Sequence, residues 1–241
     1  MKPKGILFKS EMIVALLNTQ VDVWPAKPVD ESLPWKYQTR RVVDPQPPIG
    51  AVVSSEGLVE KWPKCEREFG NFGRCERIKP KHPVGSILYA KETHIPKASG
   101  VIYKADFDSV EAAGLSGMYG GWKPSIFMPK VAARLWFRVM NVRVERVNAI
   151  SEEDSKAEGV SHLPEDASTV EFDSKKCPQC GGTMLFTSRS VAGASFDTDC
   201  GMCDTFKKRY KILWDSINGN GDFDKGKYVW VYELARITKP A

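Results

Sequence analysis

The sequence predicts an α+β protein built on a small barrel-like sheet, and three observations predict it. Short apolar runs at strand length outnumber helical patterns, one long run from 133 to 150 alternates in polarity, and a last strand-like run returns after a polar, cysteine-bearing insertion. The chain therefore divides into a main domain over 1–168, an insertion over 169–205, and a closing helix and strand over 206–241.

Taken in order, "GILF" is a short strand and "KSEMIVALLN" a helix of about three turns. "GSILYAKETHI" is a strand ending near Glu92. "ARLWFRVMNVRVERVNAI" puts Trp136, Arg138, Met140 and Val142 on one face, with Phe137, Val139, Val144 and Val147 broadly on the other, as in a long bent strand. Ser151 caps the helix "SEEDSKAEG", whose early acids suit the positive helix end. In "FKKRYKILWDSIN", Phe206, Tyr210, Leu213 and Ile217 share a helical face, and Gly219 stops the helix. "YVWVYELARI" is the final strand. Between these two, "DSINGNGDFDKG" imitates a calcium loop. Counted from Asn218, however, its sixth position is Phe223 rather than Gly and its twelfth is Val229 rather than Glu, so it reads as a polar turn.

Composition narrows the function classes. With 42% hydrophobic and 27% charged residues, the 241-residue chain belongs with globular rather than disordered or membrane proteins. The N-terminal "MIVALL" follows Glu11 and precedes no small-residue cleavage site, so it does not fit a signal peptide. No apolar stretch approaches the roughly 20 residues of a membrane span, and a cytoplasmic location is expected. Charge is uneven: residues 1–150 carry 23 Lys and Arg against 15 Asp and Glu, residues 151–241 carry 12 against 15. A basic half suits a phosphate-bearing partner, such as RNA or single-stranded nucleic acid.

Cysteine spacing is the sharpest local signal. Cys177 and Cys180 in "CPQCGG", with Cys200 and Cys203 in "CGMC", form two C-x2-C pairs at a zinc-site spacing. Four thiolates leave a tetrahedral Zn²⁺ no open position, so the expected metal is structural. The intervening "TMLFTSRSVAGASFDTD" reads as two strands around a Gly/Ser turn, the layout of a zinc ribbon. Cys65 and Cys75 fit no metal pattern. The basic stretch "WKYQTRRVV" admits two readings from its residues. It is either a solvated turn, or Lys36, Thr39 and Arg41 point together into a pocket.

Seven segments, "ILFKSEMIVALLN", "KYQTRRVVDPQPP", "GSILYAKETH", "GWKPSIFMPKVAARL", "VNAISEEDSKAEGV", "LWDSING" and "YVWVYEL", follow the order seen in phage and prophage proteins of the ASCH family, within the PUA-like superfamily, which the chain resembles. The resemblance covers nearly all of the chain outside the insertion. It implies a PUA-like small β-barrel with flanking helices, and an RNA or modified-nucleoside ligand in a bacterial host cell. The family motif G-x-K-x-x-T-x-R falls on Pro34, Lys36, Thr39 and Arg41, with Pro where Gly is usual, and the family's catalytic carboxylate falls on Glu92. The stretch "TQVDVWPAKPVDESLP" is longer than in the family, and Phe127 stands where relatives often carry His.

In amidohydrolases of this family acting on N4-acetylcytidine, the corresponding Lys, Thr and Glu carry the reaction. The resemblance thus implies either a binding module for RNA or a modified base, or a hydrolase acting on an acylated nucleoside or on single-stranded RNA. For hydrolysis, Lys36 would take the Thr39 proton once burial or neighbouring cations lower its pKa, and Glu92 would relay a proton to the leaving amine. Arg40 and Arg41 are expected to supply that field and contact the ligand, with Trp122, Lys123 and Ser125 lining the same site. One condition attaches: on an unbroken strand Lys36 and Thr39 face opposite sides, so catalysis requires a turn over 36–39. In the competing arrangement, Thr39 caps a turn and Lys36 pairs with Glu92.

Overall fold

The computed structural model describes residues 3–31, 35–47, 52–53, 59–61, 76–98, 100–107, 121–160, 185–189, 195–199 and 205–240. Its strands are β1 (Lys4–Leu7), β2 (Gln38–Val42), β3 (Val52–Val53), β4 (Val59–Lys61), β5 (Glu76–Ile78), β6 (Ile87–Lys91), β7 (His94–Lys97), β8 (Gly100–Tyr103), β9 (Trp136–Arg146), β10 (Leu185–Arg189), β11 (Ser195–Asp199) and β12 (Tyr228–Ile237). The helices are α1 (Ser10–Leu17), α2 (Glu152–Ala157) and α3 (Phe206–Asn218). This is an α+β chain with a sheet core and few helices, as expected. The principal sheet has five strands in the order β1-β6-β9-β12-β2. Among the described residues it has β1 and β2 at its edges and does not close into a barrel. β3-β4-β5, β7-β8 and β10-β11 form smaller antiparallel sheets.

By compactness the chain forms two units: Met1–Thr39 with Lys81–Val142 and Tyr232–Ala241, and Arg40–Pro80 with Arg143–Val231. These limits differ from the insertion boundaries read in the sequence.

In the first unit, β1 runs parallel to β6 with Ile6 opposite Ala90, and β6 pairs antiparallel with β9 with Leu88 opposite Phe137. The apolar residues of "GILF" and "SILYA" thereby reach a core with Ile13 and Leu16 of α1, and Phe8 meets Phe137 edge to face. α1 spans eight residues rather than three full turns. Asn18 ends it: its side-chain amide donates to the Asp30 carbonyl and its side-chain carbonyl accepts from the Asp30 amide. The long 19–30 connection is pinned at further points, Gln20 N–H to Lys27 O (2.8 Å) and Asp22 N–H to Arg236 O (2.7 Å).

In the second unit, Ser151 Oγ accepts from Asp154 N–H, the expected cap of α2. The Glu152 carboxylate accepts from the Phe206 and Lys207 amides, so an acid of α2 satisfies open donors at the start of α3. On α3 the buried positions are Arg209, Tyr210, Leu213 and Trp214, whereas Ile217 is exposed, so the buried face is rotated from the one expected. Gly219 ends the helix at φ 108°, a left-handed value that suits glycine. The turn that imitates a calcium loop is already neutralised. Asp222 is buried and accepts from Trp214 Nε1, Lys225 Nζ and Lys227 Nζ.

β10 and β11 form the expected hairpin, Leu185 opposite Asp199 and Arg189 opposite Ser195. In sequence the two C-x2-C pairs lie just beyond the Leu185–Asp199 end. Cys177, Cys180, Cys200 and Cys203 fall outside the described residues, as do Cys65, Cys75 and Pro34. Among the described residues no helix is long and apolar enough to cross a membrane.

Candidate functional site

"WKYQTRRVV" is not a solvated turn. Lys36 is 2%, Thr39 2% and Arg40 3% exposed. The chain reaches this depth because the segment is stitched to α1: Lys36 N–H donates to Ala15 O (3.1 Å), and Thr19 Oγ1 donates to Lys36 O (2.9 Å). Leu234 N–H then donates to Tyr37 O (2.7 Å), fixing the register against β12. Trp35 and Tyr37 stack at 4.9 Å. Residues 36–39 contain no turn or helical turn: an isolated bridge at Lys36 leads into β2 at Gln38. The local bend that would bring Lys36 and Thr39 to one side is therefore missing.

Glu92 follows the last residue of β6 and is 1% exposed. Arg134 holds it in a fork: Nε lies 3.1 Å from Oε1 and Nη2 2.8 Å from Oε2, while Nη1 reaches Asp106 at 2.8 Å. The Arg134 guanidinium also lies over the Tyr103 ring at 4.1 Å. Burial raises the Glu92 pKa above the ordinary carboxyl value, and Arg134 only partly opposes this. Burial works against the Arg134 charge too, but its bonds to Glu92 prevail and hold its pKa up. Glu92 thus pairs with Arg134 rather than with Lys36.

The Lys36 and Glu92 regions are linked through α1 and Arg236. Arg236, on β12, donates through Nη1 to Leu17 O (2.7 Å) and Thr19 O (3.0 Å), the latter from the residue whose hydroxyl holds Lys36 O. Burial, and next the Arg134 charge, lower the Arg236 pKa, so these two guanidiniums feel one another. α1 also packs against the 104–106 turn that carries Asp106, the second carboxylate on Arg134. Arg134, Arg236 and the deeply buried Glu92 carboxylate are thereby linked, and the Lys36 backbone is held by the same α1 end that Arg236 bonds.

The 121–134 segment joins it beside Glu92. His94 and Lys123 exchange backbone hydrogen bonds, Lys91 Nζ donates to Ile126 O (2.8 Å), and Glu92 N–H donates to Met128 Sδ (3.0 Å). Trp122 and Ser125 are half-buried and Lys123 is exposed, so all three expected lining residues lie on a segment tied to the Glu92 turn.

No family model, curated protein or solved structure matches this chain.

Arg40 has a different setting, in the second unit. Its side chain is fully buried and meets Glu145 at 2.6 Å, Asp154 at 2.7 Å and Glu158 at 3.0 Å, with the Tyr210 ring 5.8 Å away. Burial opposes its charge, yet Glu158 and Glu145 outweigh that and raise its pKa. Arg143 also pairs with Asp154. Arg41 is half-buried and contributes to the field at Tyr210. The charges of both arginines are thus felt by acids and a tyrosine of the second unit, whereas Lys36, Thr39 and Glu92 belong to the first.

Reading the sequence does not reveal Arg134, Arg236, His94 or Tyr103. Arg134 lies within "PKVAARL", where its charge carries no pattern, and its role exists only through bonds to residues 28 and 42 positions away.

Proposed function

We propose that this chain is a binding protein for RNA or a modified nucleobase, of the ASCH and PUA-like type, with its ligand held at Lys36, Thr39 and Glu92. The observation that carries the reading is the joint burial of Lys36, Thr39 and Glu92 within one compact unit, in which Arg134 also pairs with Glu92. An arrangement rich in cations, with one carboxylate of raised pKa able to share a proton, suits a ligand that offers both an anionic backbone and a hydrogen-bonding base edge. The charge of residues 1–150 points the same way.

Binding is favoured over hydrolysis by the extended path through 36–39. Without a turn, a direct proton transfer from Thr39 to Lys36 lacks the geometry it needs. PUA-like kinship of the sheet and a structural Zn²⁺ on Cys177, Cys180, Cys200 and Cys203 are part of the same proposal. The β10-β11 hairpin between the cysteine pairs supports the zinc ribbon.

The test is incubation of the wild type with N4-acetylcytidine and with single-stranded RNA, followed for both binding and product. Saturable binding without turnover, weakened by Lys36→Met, Thr39→Val and Glu92→Gln, is the expected result. Deacetylation or RNA cleavage abolished by Thr39→Val would replace the binding reading with the hydrolase one.

A further inference from the structure

The segment after Gly121 combines firm anchoring with unusual exposure. Met128 and Ala133 are buried with Trp136, packed against Ile87, Tyr89 and Tyr103, which fixes the segment from below. Two 3-10 turns, Ser125–Phe127 and Lys130–Ala132, each follow a proline, Pro124 and Pro129, which restricts the backbone further. The bonds from Lys91 and Glu92, the His94–Lys123 bridge and the Tyr103 hydroxyl to Ala132 O (2.6 Å) tie it to β6, β7 and β8.

Yet this anchored segment turns large apolar side chains outward: Ile126 is 59%, Phe127 71% and Val131 78% exposed. Single exposed apolar residues are ordinary, but three within six positions form a local patch that asks for a partner. Lys123 and Lys130 are exposed on the same segment, the Lys130 ammonium lying 5.5 Å from the centre of the Trp136 ring. An aromatic face on a stiff support, with two exposed lysines on the same segment, matches the chemistry of a base with adjoining phosphates.

We propose that residues 122–131 are a stacking platform for single-stranded nucleic acid, on which Phe127 receives a base and Lys123 and Lys130 receive the adjoining phosphates. The platform rests on the nucleic-acid reading above and deepens it. It places base stacking on the segment tied to Glu92 and needs no sequence-specific hydrogen bond. Because Phe127 is largely exposed, replacing it leaves the fold intact.

The experiment is fluorescence anisotropy of a labelled oligouridine of about 12 nucleotides, within the usual site range for such surfaces, across a salt series. The proteins compared are wild type, Phe127→Ala, Phe127→Leu, Phe127→Tyr and the double variant Lys123→Ala/Lys130→Ala. Phe127→Ala should weaken binding by about five- to a hundredfold with the salt slope unchanged. Phe127→Tyr should bind as the wild type does, and Phe127→Leu should resemble alanine. The lysine pair should flatten the log–log salt slope by about 1.4, or about 0.7 for each phosphate no longer neutralised. If the wild type binds with a steep salt slope and Phe127→Ala binds equally well, the platform is overturned while the nucleic-acid reading stands. Equal binding by Phe127→Leu, or loss of self-association as the main effect of Phe127→Ala, would assign the patch to apolar packing against a protein and overturn it too. Absence of binding by the wild type at low salt overturns the platform and the RNA form of the reading above, and leaves it a modified nucleobase as ligand.

Discussion

At the scale of single residues, Glu92 has the clearest physical signature. It is buried, forked by Arg134, and its pKa is raised chiefly by desolvation. Below the ordinary carboxyl value of about 4.5 the group is protonated in folded and unfolded chains alike. As pH rises past that value the unfolded chain ionises first, so the stability Glu92 contributes at low pH is lost as pH climbs through its raised folded-state pKa. Denaturant unfolding of wild type and Glu92→Gln from about pH 4 to about pH 8 measures this. The stability of the wild type relative to the variant should fall over that rise, and parallel curves would contradict the assignment. Thr39→Val, which keeps the side-chain shape, should weaken nucleoside binding by roughly fivefold if one neutral hydrogen bond is removed. Arg134 and Arg236 carry no local mark of membership in this network, because their partners are tertiary and no sequence pattern announces them.

Elements carry most of what the sequence can show. β9 and β12 appear almost as read, α2 begins after its predicted cap Ser151 and α3 stops before its predicted Gly219, because periodicity and capping are local. β2 reads as a basic stretch because Lys36, Arg40 and Arg41 hide a strand whose burial depends on partners over a hundred positions away. The β7-β8 hairpin contains Pro96, which lowers strand propensity, and it is short. On α3, Ile217 and Trp214 exchange their expected roles because Trp214 Nε1 finds the buried Asp222 carboxylate at 3.1 Å. In the second unit, β9, α2 and the C-cap of α2 supply carboxylates around Arg40: Nε and Nη2 reach Glu145, Nη2 also reaches Asp154, and Nη1 reaches Glu158. Arg40→Met removes that fork and leaves three acids together, and should cost about 3–5 kcal/mol in urea unfolding. Arg40→Lys should recover little of it, since one ammonium cannot span the same acceptors.

At the scale of the whole molecule, the ribbon and the principal sheet are expected to be energetically separable. The hairpin of β10 and β11 has five paired positions among the described residues, and a hairpin of that size is too small to be stable without a staple. Protein purified without chelator should contain one zinc per chain by elemental analysis. Cys177→Ser should remove that zinc and amide-exchange protection in 185–199, while protection in β6, β9 and β12 persists. RNA binding is proposed for the other part, where Lys36 is buried against α1. It is tested most directly by the equilibrium affinity of a labelled single-stranded RNA for wild type and Lys36→Met, measured across a salt series. Wild-type binding should weaken with salt by about 0.7 log units per log unit for each phosphate contacted, and Lys36→Met should lose affinity clearly while remaining folded. No wild-type binding at low salt, or equal binding by a folded Lys36→Met, would contradict it.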